Sequence, residues 1–126
     1  MADHLLLDTH VFIWWRKNSP RLGNEARGHI ASASVVFVSV ASAWEAAIKI
    51  ALGKLRLSES FEAGVVASRF DKLPIEFSHA EVVATLPRHH NDPFDRMLIA
   101  QAIAERLTLV THDRQFAPYG IDVVWT

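Results

Sequence analysis

The sequence contains no cysteine, which excludes disulfide bonds and thiolate metal sites. No uncharged stretch reaches the roughly 18–20 residues needed to span a bilayer. The N-terminus has no basic region followed by an apolar run, so no secretory signal is predicted. No glycine-rich phosphate loop of the GxGxxG or GxxxxGK type occurs either. The 126 residues, half of them hydrophobic, therefore predict one cytoplasmic domain over residues 1–126 with a core of ordinary size.

Net charge is also nearly absent: 13 Lys and Arg face 14 Asp and Glu, a formal charge of −1. That balance argues against a broad, non-specific binder of polyanions. If four of the acids bind metal, however, 10 acids remain against 13 bases, a surface charge of about +3. A nucleic-acid substrate is therefore compatible with the composition.

Short apolar strands alternate with helices along the chain. The predicted strands lie at residues 4–7, 35–40, 74–77, 107–111 and 121–125. The helix before the fourth strand opens with Asp92 as a cap and Pro93 at the first helical position, and it is apolar almost all round except at Gln101. A further helix over residues 78–86 is predicted to be capped by Ser78. The alternation predicts an α/β fold with a parallel sheet of about five strands wrapped by helices.

Four acids fall where such a sheet would gather them. Asp8 follows the first strand, Glu45 lies in the helix after the second, Asp95 opens the helix before the fourth, and Asp113 follows the fourth. Ligands of open α/β sheets bind at the carboxyl ends of the strands, so these side chains should converge if strands one and four are neighbours. Clustered carboxylates raise one another's pKa, and a hard divalent cation such as Mg²⁺ resolves the repulsion.

Four segments resemble a known family, the PIN-domain ribonucleases, and most closely the VapC-type toxins of bacterial toxin–antitoxin pairs. They are Leu5–His10 (LLLDTH), residues 42–55 (SAWEAAIK followed by LGKL), Asp92–Ala102 (DPFDRMLIAQA) and Leu109–Asp113 (LVTHD). The resemblance covers nearly the whole chain, and the segments occur in the order that the family has.

The resemblance implies a three-layer α/β/α PIN-like fold with the sheet order 3-2-1-4-5. It also implies Mg²⁺- or Mn²⁺-dependent endonucleolytic cleavage of RNA, a homodimer, and a cognate antitoxin as partner. The catalytic acids of the family map onto Asp8, Glu45, Asp95 and Asp113. We expect Asp8 and Asp95 to be the principal metal ligands, with Thr9 and Asp92 supporting them.

Each acid also has an ordinary structural interpretation. Asp92 is more simply an N-cap than a ligand, and Asp95 could complement the helix dipole. Glu45 could complete a capping box with Ser42 or pair with Lys49 one turn later, and Asp113 could be a turn residue.

Other functional classes remain open at this point. His89 and His90 with His79 or His112 could serve acid–base catalysis or bind Zn²⁺, although adjacent histidines are poorly spaced for one metal. A phosphatase using Asp8 as nucleophile lacks the second Asp at position 10, which is histidine. A catalytically weak PIN-like regulatory or binding module, or a nuclease acting on another nucleic acid, is the remaining alternative.

Basic and aromatic residues suggest contact surfaces. Arg96 and Arg114 are the first candidates for RNA contacts, followed by Lys49 and Arg16, with solvated charge as the simpler interpretation of each. The tryptophans at positions 14, 15, 44 and 125 are expected to pack in the core or at an interface rather than to stack on bases. Trp14 and Trp15 are adjacent, so one of them is a candidate for a dimer or antitoxin surface.

Overall fold

Five parallel strands form a single sheet at the centre of the protein, which a computed structural model describes over residues 3–126. The strands are β1 (His4–Leu7), β2 (Val35–Ser39), β3 (Asp71–Leu73), β4 (Thr108–Thr111) and β5 (Val123–Trp125). Their order is β3-β2-β1-β4-β5, as predicted. β1 pairs with β4 through Leu6 and Leu109, so the two strands whose carboxyl ends carry Asp8 and Asp113 are neighbours.

Helices connect the strands and cover both faces of the sheet. They are α1 (Thr9–Arg16), α2 (Asn24–Ser32), α3 (Val40–Ala51), α4 (Phe61–Ala67), α5 (Phe77–Thr85), α6 (Pro93–Glu105) and a 3-10 helix (Arg114–Tyr119). Within residues 3–126, no helix has the length and apolar character needed to cross a membrane.

Alternation along β1 explains the two-sided core. Leu5 and Leu7 pack against one face of the sheet with Val11 and Phe12 of α1, whereas Leu6 packs against the other face with residues of α6. All three leucines are fully buried, and burial of each contributes roughly 1.5–3 kcal/mol. A strand that is apolar on both faces is therefore the central strand of a three-layer α/β/α domain.

Helix α6 has the predicted start and burial. Asp92 Oδ1 accepts hydrogen bonds from the backbone N–H groups of Phe94 (2.9 Å) and Asp95 (3.0 Å), and Pro93 follows it at the first helical position. Residues 98–102 are all buried, including Gln101. The N-terminus of α6 is thereby fixed beside the carboxyl edge of the sheet.

The third strand is a correction to the sequence prediction, which placed it over residues 74–77. β3 is Asp71–Leu73, and Pro74 follows it. Asp71 and Lys72 are exposed because β3 is an edge strand, so only Leu73 enters the core. The apolar residues that suggested the later position are exposed, Ile75 at 37% and Phe77 at 91%. Helix α5 begins at Phe77 with Glu76, not Ser78, as its N-cap.

Candidate metal and catalytic site

Asp8 lies where β1 ends and α1 begins. Its Oδ1 accepts the backbone N–H of Val11 at 2.8 Å, and its Oδ2 accepts the hydroxyl of Thr111 at the end of β4. The side chain is almost fully buried, and burial raises the pKa of the Asp8 carboxyl in spite of these two hydrogen bonds. Two donors on different elements therefore hold both oxygens of a buried acid in place.

Glu45 reaches the same region from α3. Thr9 Oγ1 donates to Glu45 Oε1 at 2.6 Å, and Lys49 Nζ lies 3.1 Å from Glu45 Oε2. The pairing with Lys49 is therefore present. The capping box with Ser42 is not, because the N-cap of α3 is Ser39 and Ser42 lies within the helix, with its Oγ 2.9 Å from Thr9 Oγ1.

Asp113 begins the 3-10 helix after β4. Its Oδ1 accepts the N–H of Gln115 at 2.9 Å, so it is a cap of that helix. Its own N–H donates to Thr111 Oγ1 at 3.0 Å, and that same hydroxyl donates to Asp8. Thr111 thus connects the ends of β1 and β4. This role of Thr111 was not predicted, because a threonine in a strand carries no functional signal by itself.

Asp95 lies in the first turn of α6 and responds to the other acids. Burial raises its pKa most, and the negative charges of Asp92, Glu45, Asp8 and Asp113 raise it further, from 3.8 to about 8. Charges interact strongly where little solvent separates them, and solvent screens the interaction at longer distances. The fold therefore brings together acids that are more than 100 positions apart in the sequence, and we call Asp8, Glu45, Asp95 and Asp113 the carboxylate rim.

The carboxylate rim has an all-oxygen donor set, which suits Mg²⁺ or Mn²⁺. Its ligand atoms are more widely spaced than those of a closed cage, since within residues 3–126 only Glu76, His79 and Glu105 place three such atoms within 4.8 Å of one another. A cation that keeps several waters fits this open arrangement. Lys49 pairs with Glu45, but within residues 3–126 no Lys or Arg pairs with Asp8, Asp95 or Asp113.

The group around His79 lies at the other end of α6, about 15 Å along the axis from Asp95 at 1.5 Å per residue. His79 Nδ1 accepts the N–H of Glu76 at 3.0 Å, and Nε2 lies 2.9 Å from Glu105 Oε2. Both ring nitrogens therefore already have protein partners. The arrangement is that of a structural hydrogen-bond network, in which His79 has no unpaired nitrogen to offer a ligand.

The other predicted histidines do not form one cluster within residues 3–126. His90 is beside Asp95, with its Nε2 3.4 Å from Asp95 Oδ2. His112 Nδ1 contacts the carbonyl of Thr126, and His89 is exposed with its ring edge-on to Tyr119. A site built from several histidines therefore finds no geometric support in this part of the chain.

The two arginines suggested for RNA contacts differ in availability. Arg96 donates to the carbonyls of Val83, Leu86 and Pro87 and to Tyr119 Oη, so its guanidinium holds the α5–α6 loop. Arg114 is exposed, and its guanidinium stacks over the Trp125 ring at 4.3 Å. Only Arg114 keeps its donors free of the hydrogen bonds described for residues 3–126.

The exposed aromatic surface is at Trp44 and not, as expected, at Trp14 or Trp15. Trp14 and Trp15 are both half-buried against the same core, whereas Trp44 is 59% exposed. Helix α3 turns Ser42 and Glu45 inward and leaves Trp44 and Ile48 facing outward. Trp44 contacts Phe94 edge-on at 4.9 Å, so this apolar surface adjoins the N-terminus of α6.

A parallel sheet in the order 3-2-1-4-5 with acids at its carboxyl edge is the arrangement of a PIN domain, and the family matches residues 5–121. The chain belongs to the PIN domain family, a family of nucleases. None of the curated proteins matches the chain in sequence.

Solved structures with the same fold include three toxin–antitoxin assemblies. VapBC2 from Rickettsia felis bound to a promoter DNA fragment has a TM-score of 0.71 at 16% identity, covering 96% of this chain and 97% of that chain. DNA-bound VapBC from Salmonella typhimurium has a TM-score of 0.67 at 22% identity, covering 96% of each chain. VapBC-5 from Mycobacterium tuberculosis has a TM-score of 0.64 at 19% identity, covering 98% and 99%. At these identities the likeness establishes the fold.

Proposed function

We propose that this protein is a metal-dependent endoribonuclease that acts as the toxin of a toxin–antitoxin pair. The observation that carries the proposal is the carboxylate rim of a PIN domain, in which burial and the charges of Asp92, Glu45, Asp8 and Asp113 raise the pKa of Asp95. The similarity in fold to VapBC complexes supports the toxin role and an antitoxin partner.

Asp8 and Asp95 are the proposed ligands of Mg²⁺ or Mn²⁺, and Glu45 and Asp113 complete the site or orient the attacking water. When bound, the cation would lower the pKa of a coordinated water and neutralise charge on the scissile phosphate. Val11 and Thr111 hold the Asp8 carboxylate in one orientation. Thr9 does the same for Glu45, and Asp92 fixes the turn that carries Asp95. Arg114 is exposed and is the better placed of the two arginines to contact RNA.

The proposed partners are a second copy of the chain and an antitoxin. Helix α3 exposes several apolar side chains, Trp44 and Ile48 among them. Contiguous exposed apolar surface is typical of a protein–protein contact site. Sedimentation of wild-type and Trp44→Ala protein, alone and with the product of a neighbouring open reading frame, tests both partners. A purely monomeric species in every mixture would contradict them.

Cleavage of a defined RNA in EDTA and after addition of Mg²⁺, Mn²⁺ or Zn²⁺ tests the catalytic proposal. We expect cleavage restored by Mg²⁺ or Mn²⁺, with 5′-phosphate and 3′-hydroxyl product ends, because water attacks the phosphorus and the 3′ oxygen leaves. Cleavage in EDTA with 2′,3′-cyclic phosphate ends would instead indicate histidine-based chemistry. Binding of RNA without cleavage, in the presence of either metal, would leave a non-catalytic binding module.

A further inference from the structure

One buried side-chain atom in residues 3–126 has no hydrogen-bond partner, and it lies beside the carboxylate rim. This atom is Nε2 of His90, whose side chain is only 8% exposed. A buried polar atom without a partner is costly, so it usually has a role that the rest of the fold does not explain. The nearest charged group is the carboxylate of Asp95, with Oδ2 at 3.4 Å.

The hydrogen bonds on the other side of the ring decide which nitrogen carries the proton. Tyr119 Oη receives two N–H donors at 3.3 Å, Arg96 Nη1 and the backbone N–H of His90. The phenol oxygen is then left with its own hydrogen to donate, and His90 Nδ1 lies 2.8 Å away as the acceptor. With Nδ1 accepting, the proton of the neutral ring is on Nε2, which lies 3.4 Å from Asp95 Oδ2.

The opposite tautomer would give His90 a different role. A proton on Nδ1 would leave a lone pair on Nε2 and make the ring a direct metal ligand. That arrangement would direct a third donor at Tyr119 Oη, which has only two lone pairs. The contacts of Tyr119 therefore favour the ring as a donor to Asp95.

We propose that His90 is a positioning residue for the carboxylate rim, which orients Asp95 through Nε2–H while Tyr119 and Arg96 fix its tautomer. The inference rests on the proposed function and adds a residue to it. A donor held at Oδ2 turns the carboxylate and leaves the other oxygen for the cation. Such partners behind a metal ligand commonly change metal affinity by about 10–100-fold.

The rest of the ring environment supports this role. His90 is also in aromatic contact with Phe116 and Tyr119, so it is held from several sides. Arg96 belongs to the same α6 turn as Asp95 and binds the loop that carries His90. Hydrogen bonds of Arg96 therefore join the loop to the first turn of α6.

Calorimetric titration with Mn²⁺ tests the proposal on intact protein. We expect His90→Leu to bind Mn²⁺ about 10–100-fold more weakly. His90→Gln should retain most of the affinity because its amide N–H can replace Nε2–H. Tyr119→Phe keeps the ring packing but loses the hydroxyl, and it should fall between the two. His89→Leu is the matched control, since His89 is in the same loop and makes no hydrogen bond among residues 3–126.

A second readout separates positioning from general loss of structure. RNA cleavage by His90→Leu should return when Mn²⁺ is raised in proportion to the lost affinity. Wild-type affinity in both His90→Leu and Tyr119→Phe would overturn the inference alone, as would a His90→Gln variant that is folded but binds as weakly as His90→Leu. Wild-type protein that binds no Mn²⁺ would overturn the proposed function and this inference with it.

Discussion

Helix α6 carries two polar regions that differ in how their hydrogen bonds and charges are satisfied. At its N-terminus, Asp95 faces other acids and has a pKa raised to about 8, and the neighbouring His90 Nε2 has no partner. In its second half, Gln101 is fully buried, yet both ends of its amide are hydrogen-bonded. The same helix therefore holds one region whose charge is unbalanced and one that is complete without a ligand.

The complete region is a chain of hydrogen bonds that we call the Gln101 network. Ser39 Oγ donates to Gln101 Oε1 at 2.6 Å, and Gln101 Nε2 donates to the carbonyl of Pro74 at 3.2 Å and lies 3.4 Å from His79 Nδ1. Glu105 closes the chain at the other ring nitrogen of His79. Burial of polar groups costs little when each finds a partner, so this network stabilises the packing of α5 and α6. The contrast teaches that unbalanced polar groups, not buried ones in general, distinguish the end of the helix where we propose the metal site.

The largest expected effect is loss of cleavage on changing the carboxylate rim. Asp8→Asn removes a charge that the proposed cation needs, so we expect kcat/KM to fall by about 10³-fold or more. Stability should change little, because Asn keeps an oxygen for the Val11 N–H and removes a buried charge, which offsets loss of the oxygen that accepts the Thr111 hydroxyl. Asp71→Asn, at an exposed position of the edge strand, is the matched control. Full activity in clean Asp8→Asn protein would remove Asp8 from the mechanism.

Disruption of the Gln101 network should lower stability and leave cleavage unchanged. Gln101→Met keeps the side-chain volume but leaves the hydroxyl hydrogen of Ser39 and the Pro74 carbonyl without partners, which should destabilise the fold by about 2 kcal/mol. Urea denaturation at constant m measures the loss. Cleavage per folded molecule should match the wild type. If Gln101→Met had wild-type stability but impaired cleavage, the Gln101 network would serve catalysis and not stability.

The sequence predicted the parts of this picture that depend on position along the chain. Asp8 and Asp113 could be placed at one edge because each follows an apolar strand, and the cap at Asp92 could be read from its neighbours. The order of the strands came from the family resemblance. The individual roles of the four acids remain predictions.

What the sequence did not predict depends on contacts between distant segments. β3 is short and polar because it is an edge strand. Its sequence therefore predicted a strand less clearly than the apolar residues that follow it, which are exposed. Trp44 faces outward although its helix is apolar, because Glu45 and Ser42 are drawn inward by Thr9. The role of His90 depends on Tyr119, 29 positions away, which no local pattern connects to it.

The pH dependence of the free energy of unfolding tests whether Asp95 lies in a region of unbalanced charge. Its pKa is about 8 in the folded protein against 3.8 ordinarily, so between these values the unfolded chain is ionised while the folded chain retains the proton. Stability contributed by this group therefore falls as pH rises through that window. Asp95→Asn cannot ionise. Relative to wild type it should gain several kcal/mol between pH 4 and pH 8 in EDTA, which denaturation at the two pH values measures. Parallel pH profiles for the two proteins would contradict the raised pKa.

The smallest expected effect concerns the group at the far end of α6, which brings three potential ligand atoms within 4.8 Å. Mn²⁺ at 100 times its dissociation constant should stabilise the wild type by about 2.7 kcal/mol, seen as a rise in Tm. Glu105→Gln should leave that rise unchanged, because Gln keeps an oxygen that can accept from His79 and the cation binds elsewhere. Asp95→Asn should reduce the rise under the same conditions.

The reverse pattern would decide against the carboxylate rim. If Glu105→Gln abolished the Mn²⁺-dependent rise in Tm and Asp95→Asn did not, the cation would bind at His79, and the two ends of α6 would exchange roles. The geometry opposes that exchange, because a metal at His79 Nε2 would have to displace the existing contact with Glu105, whereas Nδ1 is already occupied by the Glu76 N–H. At Asp95 a cation displaces no such partner and relieves the repulsion that raises the pKa. Binding at the rim therefore relieves repulsion among the acids, whereas binding at His79 breaks an existing contact.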